Sequence, residues 1–598
     1  MSKLIISNNK KIVQRVKEHS IENGFEKYTA LSYSNCNIVS FKKLNIDNEN
    51  FVKFENNDFV ATAGTLIYKK KIGQNSLIQI YNDFNGNIQK IRKNIIGNYL
   101  LCIKKSNKIY IFCEENNLFN VFYTQNDDNW AVSNSLYDLS KNYFGKLSIN
   151  EFNLIEYIFQ SAIIGNGTIF NEVKKLQGDE SLCINLETDK LQVFDEELPK
   201  TDLKNKDEEF LVTHFVDKLN DITNTIATVF NSHTISMTGG LDARMIFSSM
   251  LANNVKPNLV YGVGNTPLTN TKDRDLEINK LYTEKFGLNL HIMNWDTPEK
   301  FDKYWETYMN KYGFLSLIYN ASNNVFNEFE NIKTEFIDFG YFGETLRNRP
   351  WLENYNKDTF TTIQYIDDFY IYSPLSLMLK KEKYLLFKEH LISKFNKIAE
   401  KNSINKYEIS KDEFGILYND WFKSAHNKIC NMNNMHMYAT SILSNYELNK
   451  MAISIPYYMK KDARFMLKTL HKVYPEVLEV PFFSHTENWI FDEENFKLIK
   501  DNRNKYATNR MIQFVKKLIS NDKIFQAIKT ILLPIYNKGY SKKDIIERQI
   551  WFKLSKEISK KIKSNEFNII APSSFQGYLP RLAHYSQILE IITEIKKK

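Results

Sequence analysis

The stretch from His233 to Leu251 constrains this chain most. An apolar strand, His233-Thr234-Ile235-Ser236-Met237, feeds Thr238-Gly239-Gly240-Leu241-Asp242-Ala243 and opens directly into the helical run Arg244-Met245-Ile246-Phe247-Ser248-Ser249-Met250-Leu251. The order then repeats. Asn258 to Gly264 reads as a strand, Asp273 to Phe286 as an amphipathic helix and Leu288 to Trp295 as another strand. Strand and helix in alternation imply a doubly wound parallel sheet, whose ligands sit beyond the carboxyl ends of the strands. The Gly-Gly loop occupies such an end.

A glycine pair lets the backbone turn sharply and approach a ligand, and the first turn of the following helix offers unpaired N–H groups and a positive dipole end. That combination suits a phosphate. Thr238 can donate its hydroxyl, and Asp242 beside a phosphate makes sense with a divalent cation between them, so the motif implies magnesium. The plainer reading is an ordinary turn, with Asp242 favoured only by the helix dipole. A second segment, Thr334 to Arg347, repeats the pattern: a short apolar strand, then Gly340, Gly343 and Glu344. Glu344 also reads as an acid at a helix N-terminus, and Asp338 as a strand-end structural acid.

Thr238-Gly239-Gly240-Leu241-Asp242-Ala243 resembles the Ser-Gly-Gly-X-Asp-Ser loop of ATP pyrophosphatases, which cleave ATP between its α- and β-phosphates. Thr238 keeps a hydroxyl that Ala243 lacks, and Arg244 is the residue placed to supply a charge-assisted contact instead. The likeness extends further. Gly97 to Leu101, Ile109 to Glu115, Asn120 to Thr124 and Trp130 to Leu136 are similar to the amino-terminal half of glutamine-dependent asparagine synthetases. Leu147 to Val173 and Leu176 to Asp179 resemble that family's junction, and Asn445 to Pro456 with Arg464 to Leu470 its late helical segment. The family's glutaminase uses an amino-terminal Cys. Position 2 is Ser2, and Cys36, Cys102, Cys113, Cys183 and Cys430 are all internal. The expectation is a domain kept as structure with its glutaminase lost.

The resemblance thus implies an α+β amino-terminal antiparallel β-sandwich of the Ntn-hydrolase kind, degenerate, over residues 1–145, and a junction over 146–205. An α/β doubly wound ATP pyrophosphatase core follows over 206–360, with a mostly helical remainder over 361–598. Candidate helices there are Tyr384 to Glu400, Lys411 to Met432, Ala463 to Val473 and Asp544 to Ser564, with an irregular segment at Ser573 to Arg581. By the same resemblance Asp242 and Glu344 bind magnesium, and Thr238, Gly239, Gly240 and Leu241 receive the pyrophosphate. The backbone at Val263 and Gly264 meets adenine, and Arg244 and Glu344 act in catalysis. Lys468 and Lys472 lie where the family has a charge-stabilising lysine, but as helix-face lysines they read first as solvated residues. Asp273 and Asp275 are placed for ribose, metal or helix capping, and His233 is by default structural.

Composition narrows the classes. The 598 residues exceed one core, and no apolar run approaches the roughly 20 residues of a membrane span. Five scattered cysteines without paired spacing argue against a disulfide framework or zinc site, and Met1 to Asn9 is too short in apolar residues for a secretory signal, so the expected address is cytoplasmic. The +9 net charge, 79 basic against 70 acidic residues, is spread over solvated lysine runs and does not call for a nucleic-acid partner. The expected activity is an asparagine synthetase-like ligase. ATP and a small-molecule or peptide carboxylate give an acyl-adenylate and pyrophosphate, and ammonia or an amine forms the amide. A separate ammonia source and a homodimer are the partners to test. A decayed scaffold is the alternative; a tRNA-modifying pyrophosphatase would suit the basic balance, but the amino-terminal half speaks against it.

Overall fold

The computed structural model describes residues 2–501 apart from 34, 161, 199–202, 204–205, 264–269, 295–309, 313–324, 349, 354, 372–380 and 485–486. Gly264, the helix expected at Asp544 to Ser564 and the segment Ser573 to Arg581 lie outside the described residues.

The amino-terminal half is built from period-two strands, the inner ones buried on both faces. Along Tyr99–Lys105, Leu100 and Cys102 enter one core, while Tyr99, Leu101 and Ile103 enter another. The first core lies between two six-stranded sheets. One runs, edge to edge, Val173–Lys175, Phe122–Gln125, Trp130–Ser133, Lys3–Ser7, Cys36–Phe41 and Tyr28–Tyr33. The other runs Lys190–Asp195, Glu180–Asn185, Lys108–Cys113, Tyr99–Lys105, Phe59–Gly64 and Phe51–Lys53. The pairings in both are antiparallel. Helix Lys10–Glu22 buries Ile12, Val13 and Val16 against the outer face of the first sheet, and Gly73–Asp83 buries Leu77 and Ile80 against that of the second. The result is a four-layer sandwich, helix, sheet, sheet, helix.

Strands within the range expected as a junction, 146–205, join both sheets of the sandwich. Val173–Lys175 extends the first sheet, and Glu180–Asn185 with Lys190–Asp195 extends the second, with Leu182 and Ile184 alternating into the shared core. The sandwich therefore continues to Asp195, because this segment carries the same period-two pattern as the strands it joins.

The second half begins with helix α1, Glu208–Val229. Asp207 accepts the Phe210 N–H at 2.7 Å, and Glu208 and Glu209 favour the positive end. Leu211, Phe215, Leu219, Ile222 and Ile226 recur at helical spacing and are buried. A five-stranded parallel sheet follows: β1 His233–Ser236, β2 Asn258–Val263, β3 Leu290–Asn294, β4 Phe336–Asp338 and β5 Tyr438–Thr440, in the order β3-β2-β1-β4-β5. Helices α2 Leu241–Ala252 and α3 Asn270–Phe286 connect the first three strands, and α4 Phe414–Asn433 precedes β5. Neighbouring strand residues feed opposite cores: Leu259, Phe336 and Tyr438 one, Val260, Ile337 and Ala439 the other. Both faces are covered, as a parallel sheet requires. Among the described residues no helix is long and apolar enough to cross a membrane, and the five cysteines are free thiols.

The halves meet along a buried polar seam. Lys43 donates to Asn434 O and Met437 O at 2.8 and 2.9 Å, Asn427 donates to Asn120 Oδ1 at 2.8 Å, and Asn116 donates to Ser444 O at 2.6 Å.

Candidate active site at the carboxyl end of the parallel sheet

The chain order of the strands turns back between β1 and β4, since β2 and β3 build outward on one side and β4 and β5 on the other. Carboxyl ends of strands at such a reversal splay apart and leave a crevice. Both glycine-containing loops singled out in the sequence emerge there.

The first loop leaves the sheet after Met237, whose N–H donates to Val260 O at 3.1 Å. Gly239 is a glycine for steric reasons: a Cβ would lie 2.8 Å from Asp275 Oδ1 and 3.0 Å from Phe483 Cβ. Its N–H donates to Asp275 Oδ1 at 2.8 Å and its carbonyl accepts the Phe483 N–H at 3.1 Å, so Gly239 fixes the loop instead of facing a ligand. Burial raises the Asp275 carboxyl, against the opposing Gly239 N–H and Tyr261 hydroxyl. What remains for an anion is exposed Thr238, half-buried Gly240 and the first turn of α2, which has no side-chain cap.

The second loop is pressed onto the first. Asp338 ends β4 fully buried, accepting the Gly340 N–H at 2.7 Å and the Ile442 N–H at 2.8 Å, and burial pushes its carboxyl up to about 7. Gly340 has φ +65°, and a Cβ there would come within 2.6 Å of Ala243 Cα. Phe342 holds φ +78° with its ring 1% exposed, edge-on to Phe422 at 4.9 Å. A bulky residue in the left-handed region costs about 1–3 kcal/mol and persists only where packing overrides it. Gly343 lies against Asp242, its would-be Cβ 2.6 Å from both Cβ and Oδ1 of that aspartate. The turn Gly343–Leu346 then presents Glu344 and delivers Arg347.

Arg347 grips Asp242 with two bonds, Nε to Oδ1 at 3.3 Å and Nη2 to Oδ2 at 3.0 Å. Asp242 is the main cause raising the guanidinium above its ordinary value, and Glu344 adds to it. Arg347 and Glu344 also line a cleft with Asn348, Lys411, Tyr418 and Lys460. Lys460 is 7% exposed, its Nζ donating to Ile453 O at 3.5 Å, and burial lowers it to about 8.

Other expected site residues take different places. Arg244 is not at the anion side of the loop: it is fully buried, its Nη1 donates to Val477 O at 3.0 Å and Val480 O at 2.7 Å, and its Nη2 donates to Pro481 O at 2.9 Å. Its guanidinium stacks 3.5 Å from the Phe482 ring centre, and burial lowers it to about 10, so it stays charged. The side chain leaves α2 towards the 475–483 segment, away from the crevice. Leu241 and Ala243 are core residues, 8% and 3% exposed. Val263 is half-buried at the end of β2, and the Asp273 side chain lies outside the described residues. Lys468 and Lys472 pair with Glu208 and Glu209 at 2.5 and 2.6 Å on α1. His233 is buried with Nε2 3.3 Å from Ile226 O. Ser2 is 1% exposed, its hydroxyl donating to Lys42 O at 2.7 Å.

The sequence reading missed Arg347, Lys460 and the anchoring role of Asp275. Arg347 closes the second glycine segment, three residues after Glu344, and that position was its only signal.

Of the two expected magnesium ligands, Asp242 stands at the first turn of α2 and Glu344 lines the adjoining cleft. The described residues contain no group of three or more His, Cys, Asp or Glu side chains, as a complete protein cage would need. Magnesium takes one or two carboxylates and completes its shell with phosphate and water. Asp242 is held on both oxygens by the Arg347 guanidinium, so a metal there would have to displace that contact.

No protein-family model matches the chain, and no curated protein is similar to it. Among solved structures it is similar to glutamine phosphoribosylpyrophosphate amidotransferase from B. subtilis in complex with ADP and GMP. The identity is 8% and the TM-score 0.24, covering 50% of this chain and 67% of that one. A structure described as the allosteric regulatory enzyme of purine biosynthesis is 9% identical at a TM-score of 0.24, covering 49% of this chain and 80% of that one. A TM-score of 0.24 is too low for either likeness to bear on function.

Proposed function

We propose that the chain is an ATP-dependent carbon–nitrogen ligase of the asparagine synthetase kind. A carboxylate oxygen attacks the α-phosphorus of ATP, pyrophosphate leaves, and ammonia or an amine displaces AMP from the acyl-adenylate to give an amide. The observation that carries this reading is the junction of two strand-end loops at the sheet's reversal, with Gly343 in contact with Asp242.

The uncapped first turn of α2 and the Thr238 hydroxyl supply donors for the leaving pyrophosphate. Asp242 and Glu344 would hold magnesium, which when bound neutralises charge building on that leaving group. Asp275 keeps the loop in shape through Gly239. Lys460 and Lys411 give the adjoining cleft positive charge for an acidic substrate. The nitrogen source is ammonia or an amine rather than glutamine, which accords with Ser2 being buried and bonded to backbone carbonyls.

A non-catalytic scaffold is the second reading, favoured by the ion pair that engages Asp242. The test is pyrophosphate release from ATP and magnesium with ammonia or glutamine, screened over carboxylates, for wild type and Asp242→Asn. Release by wild type alone, with ammonia but not glutamine, supports the ligase. No release and no ATP binding by calorimetry in either protein supports the scaffold.

A further inference from the structure

We propose that Arg347 is a latch on the carboxylate expected to bind metal: its guanidinium holds Asp242 as an internal cation, and a metal–polyphosphate complex displaces it by offering Arg347 a new partner. This rests on the function proposed above.

The geometry gives three grounds. First, the grip is two-pronged and partly shielded, with the side chains 25% and 23% exposed, so neither oxygen of Asp242 is left without a positive neighbour. Second, the backbone on each side of Arg347 is fastened. Gly343 lies on the first turn of α2 with no room for a side chain, the Asn348 N–H donates to Lys460 O at 3.3 Å, and Asn348 Nδ2 donates to Tyr457 O at 2.9 Å. Release of Asp242 is therefore a rotation of the Arg347 side chain, with no shift of the loop. Third, the guanidinium has somewhere to go. It lines the cleft, and the first turn of α2, where the proposed function puts the phosphates, is adjacent through Asp242 itself.

The consequence is coupling. A lone divalent cation meets an Asp242 already neutralised and a fixed positive charge beside it, so it binds poorly. A cation carried by a polyphosphate brings negative charge that Arg347 can pair with, so cation and nucleotide bind together. Arg347 would then serve twice, excluding metal without nucleotide and contacting the phosphates afterwards.

Manganese titration followed by the electron-paramagnetic signal of the free ion tests this with the full chain, with and without a non-hydrolysable ATP analogue. Wild type is expected to bind manganese alone at least about tenfold more weakly than Arg347→Gln, with the gap closing or reversing when the analogue is present. Arg347→Lys, which keeps the charge and loses the fork, falls between them and serves if Arg347→Gln does not fold. Equal manganese affinity in wild type and both Arg347 variants without nucleotide, with Asp242→Asn weakening binding, overturns the latch and leaves the metal site standing. If Asp242→Asn changes manganese binding under neither condition, the metal-site reading fails and the latch fails with it.

Discussion

Gly340→Ala isolates the contact that fuses the two loops. Gly340 has φ +65°, and the added Cβ would lie 2.6 Å from Ala243 Cα and 2.8 Å from Ala243 N. Both atoms belong to the backbone of α2, so no flexible side chain can move aside. The left-handed conformation costs a non-glycine residue about 1–2 kcal/mol. Overpacking adds about 1–3 kcal/mol, and the stiffer unfolded chain returns about 0.4–1 kcal/mol. The net loss is about 1–5 kcal/mol. Gly165→Ala is the control, because Gly165 has φ +79° but a Cβ there meets nothing within 4 Å, leaving a net cost of about 1 kcal/mol. Urea unfolding followed by circular dichroism, read as midpoint and slope, gives the difference between the two variants. Pyrophosphate release adds a second readout, since a displaced α2 start moves Asp242. A Gly340→Ala protein no less stable than Gly165→Ala would refute the claim that the second loop is built against the first.

Arg244→Met strips the buried carbonyls of Val477 and Val480 and the part-buried one of Pro481 of their donor, and should destabilise by about 3–5 kcal/mol in urea; a phosphate ligand would instead lose nucleotide binding and keep its stability. His436, 1% exposed and 2.7 Å from the Tyr312 hydroxyl, is lowered by burial from 6.5 to about 3. Its depressed value means stability that is complete above pH 6.5 and is lost as the pH falls towards 3, so His436→Gln should flatten the drop in unfolding free energy between pH 7 and 4.5 by about 2 kcal/mol. A variant with the wild-type pH slope would exclude that assignment. Ser2→Ala removes a hydroxyl bonded to the carbonyls of Phe41 and Lys42, and should cost about 1 kcal/mol while ammonia-supported pyrophosphate release stays at the wild-type rate.

What could be read from the sequence was local. The expected strand at Asn258 to Gly264 is Asn258–Val263, the helix expected at Asp273 to Phe286 spans Asn270–Phe286, and that at Ala463 to Val473 spans Arg464–Val473. Each is decided by periodicity within one segment. What could not be read depends on distant partners. Whether Arg244 turns to the crevice or away from it is settled by carbonyls at 477, 480 and 481, more than two hundred residues on. The Asp242 carboxylate meets Arg347 only because β4 lies beside β1, and the strands within 146–205 declare themselves only once their partners in the sandwich are in place.

The same long-range dependence gives the amino-terminal half a structural role at the candidate site. The loop that carries Glu344 and Arg347 begins at Gly340, whose N–H is held by Asp338, and the other oxygen of Asp338 holds Ile442 just beyond β5. Thr440, at the end of β5, donates to Asn98 Oδ1 at 2.6 Å, and Asn98 donates to Glu114 at 3.4 Å. Glu114 is buried in the sandwich, accepting the N–H groups of Tyr99 and Phe119 at 3.1 and 2.8 Å. A line of hydrogen bonds, bridged by the backbone from Thr440 to Ile442, therefore runs from the sandwich to the second loop of the candidate site. Burial makes each bond costly to leave unmade. The sandwich acts on the site by fixing where β5 and the 338–347 loop stand, so the parallel half cut away from it would expose Asn427, Asn431 and Asn434 and lose the support of the loop that meets Asp242.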